Sequence, residues 1–381
     1  MIKVQPHADA GLAAAMQHMT LNPAAPPAPK NTPQVTCDLQ RVRVVQNVHQ
    51  DDIHSIVRLH DQTFITGSKD GSLKKWRLDG TLVCELYNPQ EIDYTKWVTA
   101  SAVINDNYWI SGNREGAVHL WDNAGKCIKD LRAEPYQSDR GPKCKERNMR
   151  RVHCLTSLES HLGKPFFLAG WPTQFTVHSY DDCRRLGYTF TSGNDWVYAI
   201  QPINKKALLV ITGCRLDLYT YDLVRRRWFH NRPLITEGER TEQRPFISAI
   251  TPLRDNPNLF GLAVFDRAVR VIDIASGNVM FAAQEHNPRN IRHKDRVWTI
   301  ENIQPHCFAS CGDDGLIKLW DIRRPPQSIV TVRDNTEAWG RVSILMQIND
   351  QQFLSGSCPD DVRNCVNKAQ FSFWDIRRLQ S

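Results

Sequence analysis

Between Thr66 and Arg77 the chain reads TGSKDGSLKKWR. The arrangement returns as SGNREGAVHLWD from Ser111 to Asp122 and as SCGDDGLIKLWD from Ser310 to Asp321. In all three a small hydroxyl stands ten residues before a Trp and an acid six before it: Thr66, Asp70 and Trp76; Ser111, Glu115 and Trp121; Ser310, Asp314 and Trp320. Recurrence at fixed internal spacing marks an array of one supersecondary unit. Weaker copies fill the gaps: GWPTQFTVHSYD ends a unit at Tyr180-Asp181, TGCRLDLYTYD at Tyr221-Asp222, and VFDRAVRVIDI carries Ile272-Asp273. A seventh copy begins at Ser355-Gly356-Ser357, takes extra residues from Cys358 to Ala369 and ends at Phe373-Trp374-Asp375. The anchors therefore fall at positions 76, 121, 180, 221, 272, 320 and 374, and the wider gaps between them reflect grown loops.

Each unit is a short antiparallel meander that cannot bury both of its faces alone, so neighbouring units must stack. Alternating strands with a Gly-containing hairpin fit a radial stack of four-stranded sheets, and seven such sheets suit a closed ring. The last repeat ends at Ile376, one strand short, while RVRVVQ at Arg41–Gln46 precedes the first. The expected fold is therefore all-β, a seven-bladed β-propeller closed by an N-terminal strand that completes the last blade as its outer edge. Such closure removes a seam at which an exposed strand edge would invite non-native pairing.

The expected domain spans residues 36–381, and residues 1–35 form a flexible Ala/Pro-rich segment. Within that segment Ala10–Met19 suits a short helix, and NPAAPPAPKNTP at Asn22–Pro33 is too rich in proline for regular structure. With 41% hydrophobic and 23% charged residues, the composition excludes a disordered chain, a collagen and a coiled coil. No run approaches the roughly 18 apolar residues that a membrane span needs, so none is expected. The start at Met1–Asp9 lacks the pattern of a secretory signal. Eleven cysteines scattered from Cys37 to Cys365 with no Cys-x-x-Cys pair read as reduced thiols, which places the chain in the cytoplasm or nucleus. The net charge of +7 favours acidic partners without choosing among them.

These segments resemble WD40 repeats, over roughly residues 40 to 377. The resemblance implies a buried hydrogen-bond network in each blade, made by a His before the first strand, a Ser or Thr of the second, an Asp of the hairpin and the Trp of the third. His49, Thr66, Asp70 and Trp76 match it in the first blade, and His293, Ser310, Asp314 and Trp320 in the sixth. In the second blade Asp93 stands at the place of the His and Glu115 at that of the Asp, and blades three to five lack the Trp. The physical reason for such a network is that a buried carboxylate, an indole N–H and an imidazole each need a partner, and linked together they satisfy one another. His293, Ser310 and Asp314 have the composition of a catalytic triad but serve this structural use.

No Gly-rich phosphate loop, G-x-S-x-G or H-E-x-x-H occurs. Cys307 and Cys311 face one side of a strand as core thiols, and Cys358 and Cys365 have no His to complete a ligand set. No enzyme activity, cofactor or metal is expected. The leading function is a non-catalytic protein–protein interaction scaffold working through its rim loops. The insertion Arg132–Arg151 carries seven basic residues (Arg132, Arg140, Lys143, Lys145, Arg147, Arg150, Arg151) against three acids, and Arg289, Arg292, Lys294 and Arg296 precede blade six on the same rim. This basic arc could steer an acidic peptide or nucleic acid, with Trp171 as an exposed aromatic anchor beside it. The stretch FASCGDDGLIKLWDIR at Phe308–Arg323 further resembles WD40 substrate receptors of cullin-RING ubiquitin ligases. That resemblance implies docking to the ligase adaptor through Asp321, Arg323, Asp375 and Arg377 on the opposite rim.

Overall fold

Strands form here because short runs of β-branched and aromatic residues alternate with Gly- and Asp-bearing turns. A computed structural model shows, among the described residues, twenty-eight of them in seven four-stranded antiparallel sheets. It describes residues 37–87, 96–131, 151–159, 165–180, 185–191, 196–222, 227–236, 246–254, 256–282, 293–323, 328–334, 340–358 and 368–378. The N-terminal segment 1–35, with the helix expected at Ala10–Met19, lies outside the described residues. In blade one the strands are Ile53–Arg58, Thr63–Ser68, Leu73–Arg77 and Leu82–Tyr87, in consecutive order. The first strands of the seven blades (Ile53–Arg58, Val98–Val103, Cys154–Glu159, Val197–Asn204, Ile247–Pro252, Val297–Gln304 and Arg341–Asn349) contact one another in sequence, and the last returns to the first. That cycle is the closed ring.

Closure takes the expected form. Cys37–His49 pairs antiparallel with Ala369–Arg378, from Cys37 opposite Arg378 to His49 opposite Ala369, and is the outer strand of the seventh sheet. Arg43 opposite Phe373 and Val45 opposite Phe371 lie inside the stretch that the sequence singled out.

The core has no single centre. It divides into seven wedges, one at each interface between neighbouring blades. Ile65 and Leu73 of blade one pack on Val98, Trp109 and Trp121 of blade two, for instance, and Trp76 and Phe64 of blade one pack on Val48, Phe371 and Leu354 of blade seven. Second strands are therefore covered on both faces, whereas fourth strands expose alternate residues. Blades approach so closely that some second-strand positions admit no side chain. A Cβ on Gly67 would collide with Val98 Cγ1, and one on Gly170 would collide with Cys154 Sγ and lie 2.9 Å from Val197 Cγ1. Only glycine, which has no Cβ, fits such a close approach.

The middle blades depart from the sequence reading in register. In blades one, two, six and seven an aromatic of the second strand lies directly opposite the Trp of the third: Phe64–Trp76, Trp109–Trp121, Phe308–Trp320 and Phe353–Trp374. These pairs stack with interplanar angles of 18°, 9°, 16° and 15°. In blade three the corresponding residue is His178 opposite Phe167, and in blade four it is Tyr219 opposite Leu208, each two residues before the expected Tyr180 and Tyr221. The cause is the hairpin. Trp171 pairs with Gln174 and Thr212 with Arg215 across two-residue turns, against the five residues between Gly67 and Leu73 in blade one. The shorter turn leaves no place for the hairpin Asp.

Candidate interaction face at the mouth of the axis

The buried network is assembled in blades one and six. His49 Nε2 lies 2.7 Å from Thr66 Oγ1, Trp76 Nε1 donates to that oxygen at 2.8 Å, and His49 Nδ1 is 3.5 Å from Asp70. In blade six His293 Nδ1 is 3.0 Å from both Asp314 oxygens and Nε2 is 2.8 Å from Ser310 Oγ, which accepts from Trp320 Nε1 at 2.8 Å. Burial pushes the Asp314 carboxyl up. The bond and charge of His293, with the backbone N–H groups of Lys294 and Leu316, outweigh it and hold the group below the usual carboxylate range. In the same way Asp70 is held low against burial by His49 and Ser72. With every polar group occupied, this constellation offers no reacting atom.

Elsewhere the network is varied. In blade two Trp121 Nε1 donates to Ser111 Oγ at 2.9 Å, Glu115 is exposed, and Asp93 lies outside the described residues. Blade seven links Trp374 to Ser355, and Ser355 to Asp334 at 2.5 Å, a carboxylate from the blade-six side that takes the place of a His. Blade three corrects the expectation for Trp171. Its side chain is fully buried, and its Nε1 donates at 2.8 Å to Thr176 Oγ1, which also contacts His178 Nε2 at 2.8 Å. The same trio of Trp, His and hydroxyl is thus rebuilt from other positions, and Trp171 is a core residue rather than a surface anchor.

Of the basic rim, Arg132, Arg140, Lys143, Lys145, Arg147, Arg150, Arg289 and Arg292 lie outside the described residues; Arg151, Lys294 and Arg296 lie within them. On the opposite rim Asp321, nearly buried, receives Arg323 through Nε at 2.9 Å and Nη2 at 2.7 Å. The backbone of Asp375 and Arg377 runs opposite Gln40 and Asp38 in the closing strand.

A site that motif reading missed appears where the seven first strands begin. Each starts around a buried Val or Ile: Ile53, Val98, Val152, Val197, Ile247, Val297 and Val342. The residue before it forms one ring (Asp52, Trp97, Arg151, Trp196, Phe246, Arg296, Arg341) and the residue after it a second (His54, Thr99, His153, Tyr198, Ser248, Trp298, Ser343). The backbone fixes the first ring at the hairpin end of the blades: Lys69 N bonds Asp52 O at 2.8 Å, Arg114 N bonds Trp97 O at 2.9 Å, and Phe265 N bonds Phe246 O at 2.8 Å. Small hydroxyls of the second ring tie blade to blade, since Thr99 donates to Val152 O, Ser248 to Val297 O and Ser343 to Ile53 O. Arg341 closes the seam between blades seven and one on Asp52.

The larger members form a half-buried aromatic belt. Ring centroids are 4.9 Å apart for His54–Trp97, 4.6 Å for His153–Trp196, 6.0 Å for Tyr198–Phe246, 6.2 Å for Phe246–Phe265 and 4.9 Å for Phe265–Trp298. Around the Trp97 ring stand Lys69 Nζ at 5.5 Å, Arg114 Cζ at 5.2 Å and Arg151 Cζ at 5.1 Å. At that range the negative face of the indole attracts each cation. Burial, aided by the charge of Arg151, lowers His54 and His153 to about 3, so both imidazoles are neutral at neutral pH. The other end of the axis is unlike this one. There Arg254 of blade five reaches past blade six to Asp350 at 3.0 Å and to Gln347, Gln304 Nε2 donates to Asp350 O at 2.6 Å, and burial raises Glu301 to about 7. One end is latched by polar side chains; the other presents aromatic faces and positive charge.

Comparison with known proteins agrees with this architecture. A family model described as WD domain, G-beta repeat matches residues 40–77 and 288–321, the regions of the two complete networks. The crystal structure of the WD40 beta propeller domain of Doa1 superposes with a TM-score of 0.62 at 11% identity, covering 88% of this chain and 97% of that one. No curated protein sequence matches the chain. Two segments of the chain thus match the WD40 repeat model, and the chain folds as a seven-bladed propeller. Propellers of this family generally mediate protein–protein interactions and are generally non-catalytic.

Proposed function

We propose that this protein is a non-catalytic interaction platform whose docking surface is the mouth where the first strands begin. The observation that carries the reading is the belt of half-buried aromatics with Lys69, Arg114, Arg151 and Arg296 at one end of the axis. Aromatics and arginines are the residue types that dominate binding energy at interfaces. A rigid ring holds them at fixed spacing, so little order is lost on association. The test is quantitative affinity capture from the native cell with the full chain, comparing wild type with Phe265→Ala/Trp298→Ala and with Arg323→Ala/Arg377→Ala. Loss of the same partners in the first variant alone supports the mouth as the platform. Loss only in the second would transfer the function to the opposite rim, where the ligase-receptor alternative rests on sequence resemblance. Unchanged capture by both would sink the reading.

A further inference from the structure

We infer that Arg254 is a two-position strap at the far end of the axis, held on Asp350 while Glu301 carries a proton and drawn to Glu301 once that proton leaves. The inference is independent of where partners dock. Glu301 lies on the first strand of blade six, Val297–Gln304, which packs between the first strands of blades five and seven. Arg254 follows the first strand of blade five and crosses to blade seven, where it meets Asp350 at 3.0 Å and the side chain of Gln347. Gln347 is itself tied to blade six. Its Nε2 donates to Ile303 O at 2.6 Å, and its backbone N–H serves the Glu301 carboxyl. Arg254 and Glu301 thus share one contact residue.

Charge and exposure set the two positions. The half-buried Glu301 carboxyl receives the Gln347 N–H and feels the charge of Arg254, yet burial outweighs both and pushes it up to about 7. Near neutral pH it is therefore divided between acid and carboxylate. The strands packed against Val297–Gln304 are Ile247–Pro252, Leu259–Val264, Cys307–Gly312 and Arg341–Asn349. They bring Cys307, Cys311 and Arg341, and Arg341 is engaged at the mouth with Asp52. His306 stands in the hairpin after Gln304, and Arg58 of blade one is bonded to Ile348 O. Among the described residues Arg254 is the cation whose charge acts on Glu301. Its present pair is exposed, with 50% of the Arg254 side chain and 75% of that of Asp350 open to solvent. Such screened pairs are weak, whereas a carboxylate taken from water draws a cation more strongly. In acid this end shows a paired Asp350; in base it shows a free Asp350 carboxylate.

The test combines two measurements on the full chain. Crystal structures at about pH 5.5 and about pH 8.5 should place Arg254 on Asp350 at the lower pH and within hydrogen-bond reach of Glu301 at the higher. Carboxyl-carbon NMR of glutamate-labelled protein, with the Glu301 signal identified by its loss in Glu301→Gln, should give a midpoint near pH 7. Arg254→Gln should raise that midpoint and Asp350→Asn lower it, each changing proton affinity about threefold or more. In Glu301→Gln, Arg254 should stay on Asp350 at both pH values. A midpoint below about 5.5, a midpoint that ignores Arg254→Gln, one Arg254 position at both pH values, or a swing that persists in Glu301→Gln would each overturn the inference. Should Glu301→Gln fail to fold, the two wild-type structures decide alone.

Discussion

Two regions of the ring use the same residue types to opposite ends. In blade six a His, a Trp and a charged residue lie together with every polar group engaged: His293 with Asp314 and Ser310, and Trp320 with Ser310. Around Trp97 a His, a Trp and charged residues also meet, yet His54 Nε2, Trp97 Nε1 and Arg151 Nε have no described partner. A closed set of hydrogen bonds holds a fold together; buried polar groups left without one cost stability instead. Composition alone does not separate the two, and satisfaction does.

The contrast can be broken from its strongest side first. Asp314→Ala strips His293 and the N–H groups of Lys294 and Leu316 of their acceptor. It should cost about 3–5 kcal/mol in urea denaturation, the range for breaking a buried charged pair. A loss below about 1 kcal/mol, the scale of an ordinary substitution, would show that the network is decoration. Thr176→Val in blade three is next. It removes the acceptor of Trp171 Nε1 and the Thr176 contact of His178 at constant shape. The expected loss is about 2 kcal/mol, within the range for orphaned buried donors. The variant also tests whether the rearranged trio holds its blade as the regular one does.

Acid should act through the mouth. His54 and His153 are held neutral in the fold, near 3, while the unfolded chain protonates them below about 6.5. Because their folded values are depressed, stability is undiminished at pH 7.5 and falls as pH drops through 6.5 toward 3. The loss at pH 5 should be about 1–2 kcal/mol per histidine, read from urea midpoints. His54→Asn/His153→Asn should flatten that slope, and an unchanged slope would show that neither histidine is responsible. Smallest of all is Arg151→Gln, which should alter stability by about 0.5 kcal/mol or less while changing binding; an effect on stability alone would move Arg151 into the structural region.

The ring is legible because blades one, two and six keep a fixed distance from hydroxyl to acid to Trp, and because RVRVVQ has no partner other than the incomplete last sheet. Spacing misaligns blades three and four by two residues, since Pro172-Thr173 and Gly213-Cys214 shorten a hairpin without changing the hydrophobic pattern of the strands beside it. Trp171 is misplaced for the same reason: at the tip of an imagined longer loop it would face solvent, whereas at the end of a strand it is in the core. The mouth leaves its own trace in KWVTA at Lys96–Ala100 and DWVYA at Asp195–Ala199, an aromatic directly before a buried Val. That pattern carries meaning only once first strands are placed and their ends known to converge, a relation between distant segments that no local window contains. Of the seven basic residues counted in Arg132–Arg151, Arg151, at the edge of a strand, stands against Trp97, and the other six lie outside the described residues.

The pairing of Cys37–His49 with Ala369–Arg378 has a consequence for biogenesis. Of the described strands, the one made first needs a neighbour that is made last, so its backbone groups must wait through the synthesis of six sheets. Those sheets have sequence-local neighbours and can assemble as they emerge, which makes ring closure the slow, non-local step. Arrest of translation before Ala369 would leave a stacked but open arc, recognisable by protease cleavage within Cys37–His49.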